Sequence, residues 1–161
     1  AGLALLAQQG LFVGLGAVAA LRERLDAPRP RLAEGRALVG LATAAIDVSD
    51  GLAADLGHVC AASGVGATLY LDRLPCSAAV RRYVAETGDW SVPLAAGDDY
   101  ELCVTVPASR QAEVEALAAG LPAGLHWVGV VERAPGVRLV LPDGSMLDHA
   151  PHGYDHFAGN G

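Results

Sequence analysis

The stretch Ala45-Ile46-Asp47-Val48-Ser49-Asp50-Gly51-Leu52 decides how the rest of the chain is read. Thr43 to Val48 is short, apolar and flanked by turn residues, which reads as a buried strand. Past Asp50, the apolar residues Leu52, Leu56 and Val59 or Cys60 recur at helical spacing as far as about Ala62, and Ser63-Gly64 supplies a stop. Two carboxylates and a hydroxyl therefore stand at a strand-to-helix junction, where side chains emerge at a sheet edge. Asp47 and Asp50 offer the hard oxygens that suit Mg²⁺. Ser49 and the first helical N–H groups can meet phosphate oxygens at the positive helix end. Gly51 would let a ligand approach the backbone. The blander reading makes Ser49 or Asp50 an N-cap and leaves Asp47 to close a turn.

Outward from this junction, Val65 to Leu71 reads as the next strand and Ser77 to Glu86 as a helix. Glu101 to Val106 reads as a strand with Leu102, Val104 and Val106 on one face. Ser109 is the expected cap of a helix over Gln111 to Ala119. His126–Val131 and Val137–Leu141 look like strands joined by the turn Ala134-Pro135-Gly136. Toward the start, Gly2–Gln9 and Leu15–Leu25 read as helices, Ala27–Arg31 as a rigid connector and Gly35–Leu41 as a short helix. Helices and strands mix without strict βαβ alternation. The expected class is α+β, a layered α/β/α sandwich with a mixed sheet, rather than a doubly wound parallel sheet.

A second acidic cluster, Gly97-Asp98-Asp99-Tyr100-Glu101-Leu102, stands just before a strand. Adjacent like charges are unfavourable unless solvent or a cation offsets them. A metal or cationic ligand would do so, and an exposed acidic turn would need neither. Two such clusters at neighbouring strand ends favour a joint site.

Composition narrows the classes. With 161 residues, 52% of them hydrophobic, the chain suits one buried core. Its 18 acidic against 11 basic residues give a net charge of -7, which repels a nucleic-acid backbone. Cys60, Cys76 and Cys103 are odd in number and form no C-x-x-C pair, so neither a disulfide framework nor a zinc knuckle is expected, and a cytoplasmic setting is. Ala1–Leu21 carries no charge, yet Gln8, Gln9 and several glycines interrupt it and no basic flank precedes it, so buried helices are expected rather than a membrane span. The absence of an initiator Met suggests a chain that begins inside a longer protein.

Taken together, A-I-D-V-S-D-G-L-A-A-D-L-G-H and, about fifty residues later, G-D-D-Y-E-L resemble thiamine-monophosphate kinase. The resemblance runs from Ala1-Gly2-Leu3-Ala4-Leu5-Leu6 through Pro28-Arg29-Pro30-Arg31 to Gly153-Tyr154-Asp155-His156-Phe157. It implies the fold of the C-terminal domain of aminoimidazole ribonucleotide synthetase, with ATP bound in a cleft between two domains. Residues 1–161 would then be the C-terminal domain alone, the N-terminal domain being absent and the isolated chain inactive. By the same resemblance Asp47 and Asp50 correspond to Mg²⁺ ligands and Ser49 to an ATP contact. Asp98 corresponds to a contact to the thiamine substrate where the family usually has Glu, which keeps the charge and shortens its reach. Tyr154 corresponds to the aromatic that packs on the substrate, with Phe157 a weaker counterpart; Asp99 and Asp55 are secondary candidates. A ring at Tyr154 could stack on a cationic thiazolium, or simply pin the tail.

The implied reaction is Mg²⁺-assisted, in-line transfer of the ATP γ-phosphoryl group to thiamine monophosphate, giving thiamine diphosphate and ADP in a homodimeric enzyme. No general base is assigned, because the acceptor phosphate is already ionised. Two rivals are another synthetase or kinase of the same broad group and a non-catalytic binding domain on the same fold. Three further patterns carry less weight. Gly14-Leu15-Gly16-Ala17-Val18-Ala19 mimics a dinucleotide fingerprint but lacks a full strand before it. His149, His152 and His156 match no closed zinc spacing. His58 reads as a structural histidine, since the helical rise separates it from the helix start.

Overall fold

In the computed structural model the described residues are 22–23, 26–95 and 100–147. The short helix α1 (Leu32–Ala37) follows the Pro28–Pro30 connector, and β1 (Ala44–Val48) leads through a tight turn into α2 (Leu52–Ser63). α2 stops where expected: Gly64 takes a left-handed conformation, φ 64°, and its N–H donates to the Ala61 and Cys60 carbonyls. Then come β2 (Gly66–Tyr70), α3 (Ala78–Thr87), α4 (Ser91–Ala95), β3 (Glu101–Thr105), α5 (Gln111–Ala118), β4 (Gly129–Glu132) and β5 (Gly136–Val140). Ser77 caps α3, its side chain accepting the Val80 N–H.

The strands form two sheets among the described residues. β1 pairs antiparallel with β3, Asp47 opposite Leu102 and Val48 opposite Glu101. β2 is the centre of a mixed sheet of order β4-β2-β5, antiparallel to β4 and parallel to β5. Flanked by a strand on each edge, β2 buries Gly66, Ala67, Thr68 and Leu69 in succession.

The main core joins Ala53, Leu56 and Cys60 of α2 to Ala67 and Leu69 of β2, Leu139 of β5, Leu71, Leu74 and Leu94. α2 touches both sheets. Cys103 of β3 packs on this cluster, whereas its neighbour Val104 packs with Leu38, Leu41 and Val114 on the other side. The β1–β3 ribbon thus lies between α2 and a layer contributed by the residues just after α1 and the middle of α5, the alternation of a strand aiming successive side chains into different layers. The class is α+β with helices layered on sheet, as expected, but the sheet is divided.

Four local expectations need correction. Neither Ser49 nor Asp50 caps α2: Gly51 is the N-cap residue and no side-chain cap bond forms there. Ser109 lies within a 3₁₀ turn, Ala108–Arg110, so Arg110 rather than Ser109 precedes α5. The strand expected over His126–Val131 starts only at Gly129 and runs to Glu132, whereas β5 lies within a residue of its expected limits; the two flank β2 and do not pair with each other. That crossing is possible because residue 66 is glycine; a Cβ there would overlap the carbonyl oxygens of Ala134 and Gly136. Finally, α4 has no counterpart among the expected elements, since Pro93 disguises a five-residue helix that buries Val92 and Leu94.

No helix among the described residues is long and apolar enough to cross a membrane. The expected helices at Gly2–Gln9 and Leu15–Leu25 fall outside the described residues, except that Arg22 and Glu23 are helical.

Candidate functional site

β1 ends by placing Asp47 on its exposed side and turning Val48 inward. The chain then passes through Ser49 and Asp50, both half-buried, before Gly51 starts α2. Gly51 is held at φ 116°, and a Cβ there would stand 2.6 Å from the Ala95 Cα and 2.7 Å from the Leu94 carbonyl oxygen. The sequence suggests a glycine reserved for a ligand's approach; the backbone that approaches it is the end of α4.

The turn is organised from inside the helix. Asp55, in the first turn of α2 and only 2% exposed, accepts three successive backbone N–H groups on one oxygen. Ser49 N, Asp50 N and Gly51 N lie 3.0, 3.1 and 3.2 Å from its Oδ2. Those amides are therefore committed inward, so the donors that the turn has left to offer are the Ser49 hydroxyl and the Leu52–Ala54 amides, which lack intrahelical acceptors. Asp50, Asp55 and the exposed His58 each bring one ligand-capable atom within 4.8 Å of the others. Asp47 is not part of that group. The donor set is compatible with a hard cation, because two carboxylates drawn together favour a positive charge between or beside them.

The second acidic motif reaches the same end of the β1–β3 ribbon. Tyr100 donates its N–H to the Val48 carbonyl at 3.0 Å and sits at φ 50°, an uncommon conformation for an aromatic residue. Glu101 is engaged by Arg31 in a two-point fork, Nε to Oε2 at 2.7 Å and Nη2 to Oε1 at 2.6 Å. This bonding to Glu101 holds the Arg31 guanidinium above its ordinary value, against the opposing effect of burial. Beside the fork lies an open, mostly apolar groove of about 650 Å³ lined by Pro28, Pro30, Val39, Tyr100 and Leu102 together with Asp47 and Arg36.

Of the residues singled out from the sequence, Ser49, Asp50 and Asp55 are brought together in one turn, and Asp47 stands one strand residue before it. Asp98, Asp99, Tyr154 and Phe157 lie outside the described residues, as do His149, His152, His156 and the glycines of Gly14–Ala19. The partnership of Arg31 with Glu101 escapes a reading of the sequence. Both residues stand in recognisable motifs, but nothing local connects positions 70 apart. The three cysteines are free thiols. Burial, with the nearby Cys60 and Asp55, pushes the Cys103 thiol up to about 11, which leaves it protonated and unreactive at neutral pH.

A strand-to-helix turn carrying carboxylates, packed this way against a mixed sheet, agrees with the family match: residues 3–142 fit the model of AIR synthase related protein, C-terminal domain, and the chain belongs to that family. Within it, the chain is similar to thiamine-monophosphate kinases. The thiamine-monophosphate kinase of Salmonella typhimurium strain LT2 is 40% identical over 132 residues, which is 81% of this chain and 40% of that protein. The crystal structure of thiamine-monophosphate kinase from Stenotrophomonas maltophilia K279a superposes with a TM-score of 0.76 at 38% identity, covering 91% of this chain and 46% of that one. A structure described as AaThiL complexed with AMPPCP and TMP gives a TM-score of 0.73 at 30% identity over 97% of this chain and 47% of that one. The chain spans less than half the length of each of these relatives.

Proposed function

We propose that this chain is the C-terminal half of an ATP-dependent kinase that converts thiamine monophosphate to thiamine diphosphate. The observation that carries the reading is the turn from β1 to α2, where Asp47, Ser49 and Asp50 are presented together in a chain similar to thiamine-monophosphate kinases. The similar structure described with AMPPCP, a non-hydrolysable ATP analogue, and TMP supports both substrates.

In this reading Asp47 and Asp50 hold Mg²⁺ and the Ser49 hydroxyl donates to a phosphate oxygen of ATP. Bound Mg²⁺ supplies charge neutralisation between two anionic substrates. The chain's own residues position and exclude rather than move protons. An oxygen of the acceptor phosphate attacks the γ-phosphorus, the bond to the bridging oxygen breaks, and ADP leaves with that electron pair. The acceptor oxygen is already deprotonated at neutral pH, so the carboxylates need not act as bases. Asp98 and Tyr154 contact the thiamine moiety, with Asp99 and Phe157 as secondary candidates. In this reading the complete enzyme is a cytoplasmic homodimer whose N-terminal domain supplies the rest of the ATP site; relatives about twice the length of this chain support the extra domain alone. On this view the 161 residues alone are inactive.

The test is a polypeptide that joins this chain to such an N-terminal domain, incubated with ATP, Mg²⁺ and thiamine monophosphate. Formation of thiamine diphosphate and ADP in equal amounts, slowed about a hundredfold by Asp50→Asn, is expected. Turnover of a different acceptor in preference to thiamine monophosphate would refute the substrate.

A further inference from the structure

The buried carboxylate of Asp55 has a role that differs from those of its neighbours. Its Oδ2 accepts three consecutive N–H groups from the loop before its own helix, at 3.0 to 3.2 Å. An ordinary N-cap reaches forward to amides of the first helical turn. Asp55 reaches backward from that turn, so its bonds constrain the loop rather than the helix. Hydrogen bonds strengthen where the local dielectric is low, and this acceptor is almost fully removed from water. The α4 backbone closes against Gly51, which restrains the same turn from another direction. What remains accessible on the turn are the half-buried side chains of Ser49 and Asp50.

We infer that Asp55 is a positioning residue: by holding the Ser49, Asp50 and Gly51 amides it sets where the Ser49 hydroxyl and Asp50 carboxylate stand, and it does not itself ligate the cation. The inference rests on the reading of this turn as the metal- and nucleotide-facing element. Asp55 lies near enough to Asp50 and His58 for direct ligation to be the competing role. Three donors occupy Oδ2, so Asp55 could ligate only through Oδ1, and the count of protein oxygens on the ion separates the two roles.

Asp55→Asn keeps the shape and removes the charge, and Asp55→Ala removes the acceptor. In the full chain, amide hydrogen exchange at Ser49, Asp50 and Gly51 is expected to accelerate by about tenfold or more in Asp55→Ala, and by less in Asp55→Asn, while the β2 amides keep their protection. With Mn²⁺ as a spectroscopic probe, Asp55→Asn should weaken binding without changing the number of protein oxygens on the ion, whereas Asp50→Asn should remove one. Unchanged exchange at the three amides overturns the inference, and so does loss of a protein oxygen from Mn²⁺ in Asp55→Asn. If Asp55→Ala does not fold, Asp55→Asn decides by the same two readouts. Should the parent chain bind no Mn²⁺, the metal reading fails, and the amide exchange still decides whether Asp55 holds the turn.

Discussion

Arg31 and Glu101, one from a proline-rich connector and the other from the first residue of β3, meet in a two-point guanidinium–carboxylate fork at 2.7 and 2.6 Å. The Arg31 side chain is 15% exposed and that of Glu101 38%, so the pair is intermediate between a screened surface bridge and a buried one. Planar forks lose their second bond when Arg is replaced by Lys. Arg31→Ala should therefore cost roughly 1–2 kcal/mol of stability, between the surface and buried limits, and Arg31→Lys should recover only part of it. Urea unfolding of the three proteins checks this.

Asp89 links α3 to α4. The Tyr83 hydroxyl donates to its Oδ2 at 2.5 Å and the Ser91 N–H to its Oδ1 at 2.8 Å. Burial alone would raise the Asp89 carboxyl, but the bonds from Tyr83 and Ser91 outweigh it and hold the group below its ordinary value of 3.8. A depressed folded-state value means that the ionised form stabilises the fold above the unfolded value and that this contribution disappears as pH falls through the folded one. Stability should decline below about pH 4 in the parent, and Asp89→Asn should flatten that part of the decline. Melting temperature against pH is the measurement.

Gly51 and Gly40 both hold a positive φ, but only the first is also hemmed in by backbone. Gly51→Ala combines φ 116° with a 2.6 Å approach to Ala95. Left-handed strain and overpacking each cost about 1–3 kcal/mol, so a loss of at least about 2 kcal/mol is expected. Gly40, at φ 81° with no atom within 4 Å of where a Cβ would stand, should lose only the strain component on substitution by Ala. Comparing the two variants by thermal unfolding separates the contributions.

The Cys103 thiol, pushed up to about 11, should resist alkylation. Thiolate is the reactive form, so labelling by iodoacetamide should stay slow at about pH 8 and rise only as pH approaches that value, provided the fold persists. Peptide mapping after timed labelling would show this, and rapid labelling of Cys103 at neutral pH would contradict its burial.

At the proposed site, Ser49→Ala and Asp50→Asn should each lower kcat/KM of the complete enzyme by about a hundredfold, the scale of losing one well-placed electrostatic contact in phosphoryl or acyl transfer. Excess Mg²⁺ should partly restore Asp50→Asn and leave Ser49→Ala unchanged. Steady-state kinetics across Mg²⁺ concentrations distinguish the two roles.

Much of the local structure is legible in the residues. β1, α2 and β2 fall within a residue or two of their expected limits, because a short apolar run, a stripe at helical spacing and a Gly64 stop are all encoded by neighbours in the chain. The two acidic motifs could also be expected at neighbouring strand ends, and the antiparallel pairing of Val48 with Glu101 brings the described part of the second motif to the first. Local pattern misjudges the caps. Ser49, Asp50 and Ser109 are good capping types by composition, yet a side chain caps only if its helix begins at the right residue, and those starts are set by packing.

Sequence by itself determined the α+β class, the order of the principal elements and the residue types available at the β1–α2 turn, since each depends on periodicity or on chemistry carried by adjacent residues. Only the tertiary structure decided that Asp55 turns back to gather three amides, that Arg31 grips Glu101, and that β4 and β5 flank β2 instead of pairing together. Those outcomes depend on where distant segments cross and on which close approaches a missing Cβ permits, as at Gly51 and Gly66. Hydrogen-bond partners and backbone clearances are properties of three-dimensional proximity, which no local spacing encodes.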